Sequence, residues 1–125
     1  MRWKRTRSAD QVIITSESPD VEIPDIPVTE YVLRHAERLA DKPALIDGPS
    51  GRTMTFGELA GAIRATAAGL DARGFSKGDV FAIYSPNVPE YAVAFNGVVS
   101  IGGIVTTINP LYTAEELARQ LNDCK

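Results

Sequence analysis

The chain has 125 residues, of which 44% are hydrophobic and 23% are charged, so it is neither a disordered nor a collagen-like polymer and has enough apolar residues for one core. The net charge is −3, but it is unevenly distributed along the chain. The N-terminus is a basic tip with Arg2, Lys4, Arg5 and Arg7, and after it acidic side chains outnumber basic ones. This acidic body excludes nucleic-acid binding, which needs clustered Lys and Arg.

The most apolar segment, residues 91–108, is interrupted by polar residues and three glycines. It therefore lacks the run of about 18 apolar residues that a membrane span needs. A single cysteine, Cys124, excludes a disulfide framework, and so low a cysteine content favours a reducing compartment. We therefore expect a cytoplasmic protein without a transmembrane segment.

Residues 1–27 are predicted to form an extended N-terminal arm. Three prolines alternate with acidic residues between positions 19 and 27, which excludes a helix and disfavours a central strand. Residues 9–15 lack the apolar core of a signal peptide, so the basic tip is expected to be a frayed, solvated terminus. The remaining residues, 28–125, are predicted to form one partial subdomain.

The first helix is expected to begin with Thr29 as its N-cap and to end before Pro43. Two short β-like runs follow, Ala44–Asp47 and Arg52–Phe56, separated by a Gly-Pro-Ser-Gly connection. This composition is typical of a β-hairpin.

Thr55 and Glu58 have the spacing of a capping box and predict the start of a second helix. Gly74 is a typical residue to end that helix in a Schellman motif. The run Val80–Ser85 is apolar almost throughout, which predicts a strand buried on both faces.

A third helix is predicted over residues 89–101, with Asn87 and Glu90 as its capping pair. The segment is apolar nearly all round, so we expect it to lie deep in the protein. Gly102 and Gly103 are predicted to terminate it.

The β-branched run Ile104–Ile108 predicts another strand, which completes a parallel βαβ unit with the strand at residue 80. A last helix is expected to begin at Thr113, with Glu116 completing a capping box and Leu117 and Leu121 facing inward. The predicted fold class is therefore α/β, with a hairpin and a parallel βαβ unit.

A helix after a buried parallel strand normally leads to another strand of the same sheet, and none follows before Lys125. We therefore expect the sequence to be cut at its C-terminus and its fold to be incomplete. Apolar surface and strand edges would then be exposed and would promote self-association.

Two stretches resemble reactive sites but have simpler explanations. Gly102 and Gly103 fit neither G-x-G-x-x-G nor the P-loop pattern, so a helix end is the better interpretation. Glu115 and Glu116 are adjacent acids, but neighbours in a helix point to different sides, and acids in a first turn favour the helix dipole.

Other candidate groups are isolated. His35 has polar neighbours on a helix face, and Cys124 has no partner histidine nearby in sequence. Ser85 and Asn87 follow a parallel strand, where open α/β sheets bind ligands, although a structural cap is the better interpretation. No catalytic, cofactor-binding or metal-binding residue is predicted in this chain.

Two stretches resemble core motifs of the adenylate-forming enzymes: "MTFGEL" at Met54–Leu59, the first motif, and "SIGGIVTTINPLYT" at Ser100–Thr113, the second. The frame over residues 41–121 is similar to this superfamily in order and spacing. The Pro-Asp-x-x-Ile-Pro element at Pro19–Pro24 resembles the 4-coumarate:CoA ligase branch.

The resemblance implies an ATP-dependent carboxylic acid:CoA ligase that uses Mg, ATP and CoA, with an aryl acid of phenylpropanoid type or a fatty acid as substrate. Its members form an acyl adenylate and then transfer the acyl group to the CoA thiol. The family's Ser/Thr/Gly-rich loop, Tyr-x-x-Thr-Glu segment, ribose-binding Asp and catalytic Lys have no counterpart in these residues. No family catalytic residue maps onto this chain, and we expect the chain alone to be inactive.

Two alternatives remain open. The chain could be a non-catalytic scaffold or interaction module derived from such an enzyme, in which case it should unfold cooperatively and be monodisperse. It could also belong to an enzyme that adenylates acids for a carrier protein instead of free CoA, a difference encoded mainly by later residues.

Overall fold

A computed structural model describes the backbone of residues 3–8 and 11–16 and the whole of residues 18–124. In chain order, the elements are β1 Trp3–Ser8, β2 Gln11–Ser16, α1 Val28–Leu33, β3 Pro43–Ile46, β4 Thr53–Thr55, α2 Phe56–Asp71, β5 Val80–Tyr84, α3 Pro89–Ser100, β6 Ile104–Ile108 and α4 Ala114–Asp123. The predicted α/β class, with an antiparallel hairpin and a parallel pair, is confirmed. Among the helices of the described residues, none is long and apolar enough to cross a membrane.

The N-terminal segment contains a hairpin that the sequence analysis missed. Strands β1 and β2 are antiparallel, with Trp3 opposite Ser16 and Ser8 opposite Gln11. The prediction of a frayed terminus is therefore wrong for β1, because its backbone is paired along its whole length; Arg2 lies outside the described residues. The division of the chain after residue 27 stays a prediction.

Helix α1 begins earlier and ends sooner than predicted. Its N-cap is Pro27, and Thr29 lies inside the helix, where it is buried. The Thr29 hydroxyl lies 3.3 Å from the backbone oxygen of Asn96 and 3.2 Å from its side-chain oxygen, so it connects α1 to α3 instead of capping α1. Residues 34–41 form turns where the sequence predicts continued helix.

Strands β3 and β4 form the predicted hairpin, with Leu45 opposite Met54. The turn is closed by Asp47, whose carboxylate accepts hydrogen bonds from the backbone N–H and the hydroxyl of Ser50. Both the hairpin and the position of its turn agree with the sequence analysis.

The predicted start and end of α2 are both confirmed. Thr55 Oγ1 accepts a hydrogen bond from the Glu58 N–H at 3.2 Å, and the Glu58 carboxylate accepts one from the Thr55 N–H at 2.8 Å. At the other end Gly74 has a φ of +85°, and the Phe75 N–H donates to the Leu70 carbonyl at 3.1 Å. This is the hydrogen bond that defines a Schellman motif.

Strands β5 and β6 are parallel, with Val80 opposite Ile104 and Tyr84 opposite Ile108, and α3 connects them. The expectation that β5 is buried on both faces is wrong. Ile83 is buried, whereas Val80 and Tyr84 are more than two fifths exposed, because the described residues cover only one face of the strand.

Helix α4 begins as predicted, with Thr113 and Glu116 forming a capping box. The expected inward direction of Leu121 is wrong, since that side chain is 45% exposed; Leu117 is half-buried. Helix α4 is attached to β6 by Gln120, whose amide donates to the Thr106 hydroxyl at 3.1 Å and to the Thr107 carbonyl oxygen at 3.0 Å.

The hydrophobic core lies where α2 packs against α3. Its two most completely buried large side chains are Ile63 of α2 and Val98 of α3. Gly97 faces α2 at this contact: a Cβ atom there would lie 2.8 Å from Thr66 Cγ2 and 3.4 Å from the Ile63 carbonyl oxygen. The absence of a side chain at position 97 is therefore what permits the two helices to approach so closely.

We predict that Gly97→Ala destabilises the chain by about 1–3 kcal/mol, because the added methyl group overpacks the contact with Thr66. Urea denaturation measures the change. Gly61→Ala is the matched control, since a Cβ at position 61 of α2 meets no atom within 4 Å and alanine favours helix. Equal effects of the two substitutions would contradict the proposed close approach.

Candidate functional site

A shallow cleft of about 220 Å³ lies where β5 and β6 end. Parallel strands place their carboxyl ends at one edge of a sheet, the edge at which open α/β sheets bind ligands. Ser85 and Asn87, the residues predicted from their position after β5, line this cleft together with Tyr91 of α3 and with Thr107 and Asn109 at the end of β6.

The polar side chains of the cleft have unused hydrogen-bonding capacity. The Ser85 hydroxyl donates to the Pro86 carbonyl oxygen at 3.1 Å, as a local structural bond. The side chains of Asn87, Tyr91 and Thr107 have no hydrogen-bond partner in the described part of the chain. Asn87 and Thr107 are exposed and Tyr91 is half-buried, so these polar groups are open to solvent in the described chain.

None of the described residues that line the cleft is charged. A phosphate or carboxylate that leaves water needs a cation or several converging N–H donors, whereas an uncharged polar group needs only hydrogen bonds. The described lining residues therefore offer hydrogen bonds but no charge to a group bound there.

The connection from β6 to α4 is fixed beside the cleft by hydrogen bonds. The Tyr84 hydroxyl lies 3.1 Å from the Pro110 carbonyl oxygen and 3.0 Å from that of Tyr112. The Asn109 side-chain oxygen accepts from the Leu111 N–H at 3.0 Å, which forms an Asx turn. Sequence reasoning missed Tyr84, although its place as the last residue of β5 was a signal.

The predicted capping of α3 by Asn87 and Glu90 is wrong. The N-cap is Val88, which makes no side-chain cap and has an extended backbone with φ −122° and ψ 158°. Val88 precedes Pro89, and a residue before proline is disfavoured in the helical region. The helix therefore cannot begin early enough for Asn87 to be its N-cap.

Glu90 instead connects α3 to the β3–β4 hairpin. Its two carboxylate oxygens accept hydrogen bonds from the Arg52 guanidinium, at 2.5 Å from Nη1 and 2.7 Å from Nη2. The hydrogen bonds from Arg52 are the main cause that lowers the pKa of Glu90 to about 2, and its own backbone N–H contributes. The same pair raises the pKa of Arg52.

Glu115 and Glu116 do not form an acid–base pair. Hydrogen bonds from the backbone and then the side chain of Thr113 lower the pKa of Glu116, which is committed to the capping box. Glu115 points to a separate exposed ion pair with Arg119 at 3.4 Å. Both carboxylates therefore have structural explanations.

The glycine pair after α3 also has a structural explanation. Gly102 has a φ of +78°, in the left-handed region that glycine enters without strain. A Cβ on Gly103 would lie 2.5 Å from the Phe75 ring, so a side chain does not fit there. These geometries agree with a helix end.

His35 is exposed in the turns that follow α1. The Cys124 thiol is half-buried and lies 3.3 Å from the Thr106 hydroxyl. Within residues 18–124, no three His, Cys, Asp or Glu side chains come together as metal ligands. The absence of catalytic residues from this chain stays a prediction.

Comparison with known proteins identifies the family. Residues 32–125 match the family described as AMP-binding enzyme. Since this match covers most of the chain, the protein belongs to the AMP-binding enzyme family, as the two core motifs predicted.

Curated relatives include 4-coumarate–CoA ligase 5 of Oryza sativa subsp. japonica, which is 38% identical over 113 residues. They also include 4-coumarate–CoA ligase 3 of Arabidopsis thaliana, which is 40% identical over 110 residues. These alignments cover 90% and 87% of the chain but only 21% and 20% of the relatives. The chain thus spans about a fifth of their length.

Solved structures show the same fold. The anthranilate CoA ligase AuaEII in complex with anthranoyl-AMP has a TM-score of 0.71 at 27% identity, covering 80% of this chain and 20% of that one. The N-terminal subdomain of Klebsiella oxytoca NpsA has a TM-score of 0.73 at 26% identity, with 78% and 25% covered. The described fold is therefore part of the N-terminal domain of adenylate-forming enzymes.

We predict that Glu90→Gln removes a pH-dependent part of the stability. The pKa of Glu90 is lower in the folded chain than in the unfolded chain. Its ion pair with Arg52 therefore contributes its full stability to the folded state above about pH 4.5, and progressively less as the pH falls towards 2. The urea midpoint of the parent chain should therefore fall more steeply over this range than that of Glu90→Gln.

The pair is exposed, so the difference should shrink in 0.5 M NaCl. Glu115→Gln, which breaks the single-contact pair of α4, is the control for loss of one surface carboxylate. Identical pH profiles for Glu90→Gln and the parent chain would show that the Arg52 pair does not form.

We predict that Tyr84→Phe loosens the connection between β6 and α4. The substitution removes the hydroxyl that binds Pro110 and Tyr112, at a cost of about 0.5 kcal/mol for an exposed hydrogen bond. Amide hydrogen exchange at Leu111 should therefore become faster. Tyr91→Phe removes a hydroxyl without a described partner and should leave this exchange unchanged; a slower or unchanged rate in Tyr84→Phe would refute the proposed attachment.

Proposed function

We propose that this chain is the N-terminal part of an ATP-dependent carboxylic acid:CoA ligase, which activates an acid as its acyl adenylate and transfers the acyl group to CoA. The supporting observation is the identity of 38–40% to 4-coumarate–CoA ligases over about nine tenths of the chain. The logic of the chemistry is that a carboxylate becomes a good electrophile only when its oxygen leaves as a phosphate ester.

The side chains of residues 18–124 do not fit a magnesium–phosphate site. The cleft at the ends of β5 and β6 has no charged lining residue, and residues 18–124 contain no cluster of three metal-ligating side chains. The family implies ATP, Mg and CoA for the full-length enzyme, and the proposal assigns their binding to residues other than these. In the proposal, this chain supplies the scaffold beside the reaction, and is inactive alone.

The proposed substrate is an aryl acid of phenylpropanoid type, with a fatty acid as the second candidate. Relatives named for 4-coumarate, and structural neighbours named for anthranilate and benzoate, support the first. A fatty acyl CoA synthetase of Mycobacterium tuberculosis, with a TM-score of 0.69, supports the second. The single cysteine favours a cytoplasmic location.

A carrier protein is the alternative acceptor. It is supported by the likeness to an artificially fused adenylation and PCP di-domain from Klebsiella oxytoca, with a TM-score of 0.68 at 26% identity. The sequence relatives favour CoA, since those with the stronger identity are CoA ligases.

The proposal is tested by grafting residues 32–125 into a 4-coumarate–CoA ligase in place of its matching segment. Because the segment is proposed to be scaffold of the same enzyme class, the chimera should form the CoA thioester with a kcat/KM within about 100-fold of the host, the loss caused by a misplacement near 1 Å. The 125-residue chain alone should show no ATP–pyrophosphate exchange with aryl or fatty acids.

A chimera that also carries Gly97→Val is the control, since a larger side chain at the α2–α3 contact should abolish folding and activity. A chimera with native-like circular dichroism but no thioester formation would contradict the proposal. Exchange activity of the chain alone would contradict the assignment of the chemistry to other residues.

A further inference from the structure

Asn87 lies next to the start of α3, yet it does not cap that helix. Asparagine is among the best N-cap residues, and α3 begins without any side-chain cap. The Asn87 carboxamide instead lines the cleft and has no hydrogen-bond partner in the described residues. A feature of the residues between Asn87 and α3 therefore prevents Asn87 from capping this helix.

The backbone between Asn87 and α3 supplies the cause. To become the N-cap, Asn87 would need Val88 in a helical conformation as the first residue of the helix. Val88 is extended, at φ −122° and ψ 158°, which is the region that a following proline imposes. Pro89 is buried at the first position of α3, so this restriction is built into the fold.

We propose that Pro89 is a positioning residue of the cleft: it keeps Val88 extended, prevents Asn87 from capping α3, and so leaves the Asn87 carboxamide at the cleft. The first turn of α3 is held instead by the bidentate contact between Glu90 and Arg52. The inference rests on this chain's own backbone and is independent of the reaction proposed above.

The main test is Pro89→Ala, examined by NMR in the full chain. With the restriction removed, Val88 should move from extended to helical ¹³Cα chemical shifts as α3 lengthens by one residue and Asn87 becomes its cap. In the double variant Asn87→Ala, Pro89→Ala, Val88 should stay extended, because the Asn87 side chain that would cap and stabilise the longer helix is absent. Pro86→Ala, in the same loop, controls for the loss of any proline and should leave Val88 extended.

A second test needs no proline substitution. If Asn87 does not stabilise α3, Asn87→Ala should leave the thermal midpoint unchanged, whereas Thr55→Ala, which removes an observed cap, should lower it by about 4 °C. The proposal is overturned if Val88 stays extended in Pro89→Ala, if its shift persists without Asn87, or if Asn87→Ala lowers the midpoint as Thr55→Ala does.

Discussion

The close approach of α2 and α3 is the contact on which the rest of the described structure depends. Gly97 permits it, because any side chain there would collide with Thr66. Ile63 and Val98 are nearly or fully buried in these two helices, and burial of each such side chain contributes about 1.5–3 kcal/mol. The contact joins the hairpin and α2 on one side to the βαβ unit on the other.

This arrangement places the candidate site at the carboxyl edge of the parallel strand pair. α3 packs on α2 and also connects β5 to β6, so its first turn lies at the carboxyl edge of the parallel pair. Arg52, from the hairpin, binds Glu90 in that turn, and Tyr84 fixes the connection on the far side of the cleft. The described residues thus build and fix a polar cleft whose described lining carries no charged side chain.

Much of this fold could be predicted from short-range patterns. The capping boxes of α2 and α4, the glycine that ends α2 and the β-branched strand β6 depend on residues within a few positions of each other, and all were correctly predicted. The predicted cap of α3 is wrong for a reason that is also local. The effect of Pro89 on the backbone of Val88 outweighs the preference of Asn87 for N-cap positions.

Features that depend on distant residues could not be predicted. The sequence predicts Thr29 as a cap, but its hydroxyl bonds to Asn96, 67 positions away; it predicts Glu90 in a capping pair, but that carboxylate binds Arg52, 38 positions away. The burial of Val80 and Leu121 was overestimated, since apolar sequence shows that a residue can be buried but not what covers it. Of the cleft, Ser85 and Asn87 could be predicted from strand topology, whereas Tyr91 could not.

The most direct test of this account is the nuclear Overhauser effect between the Thr66 methyl group and the α protons of Gly97. These groups belong to different helices, and the structure places them in van der Waals contact. The account predicts a strong cross-peak in the folded chain. Its absence, in a sample whose other α2 and α3 resonances are native-like, would contradict the packing on which the site and its positioning depend.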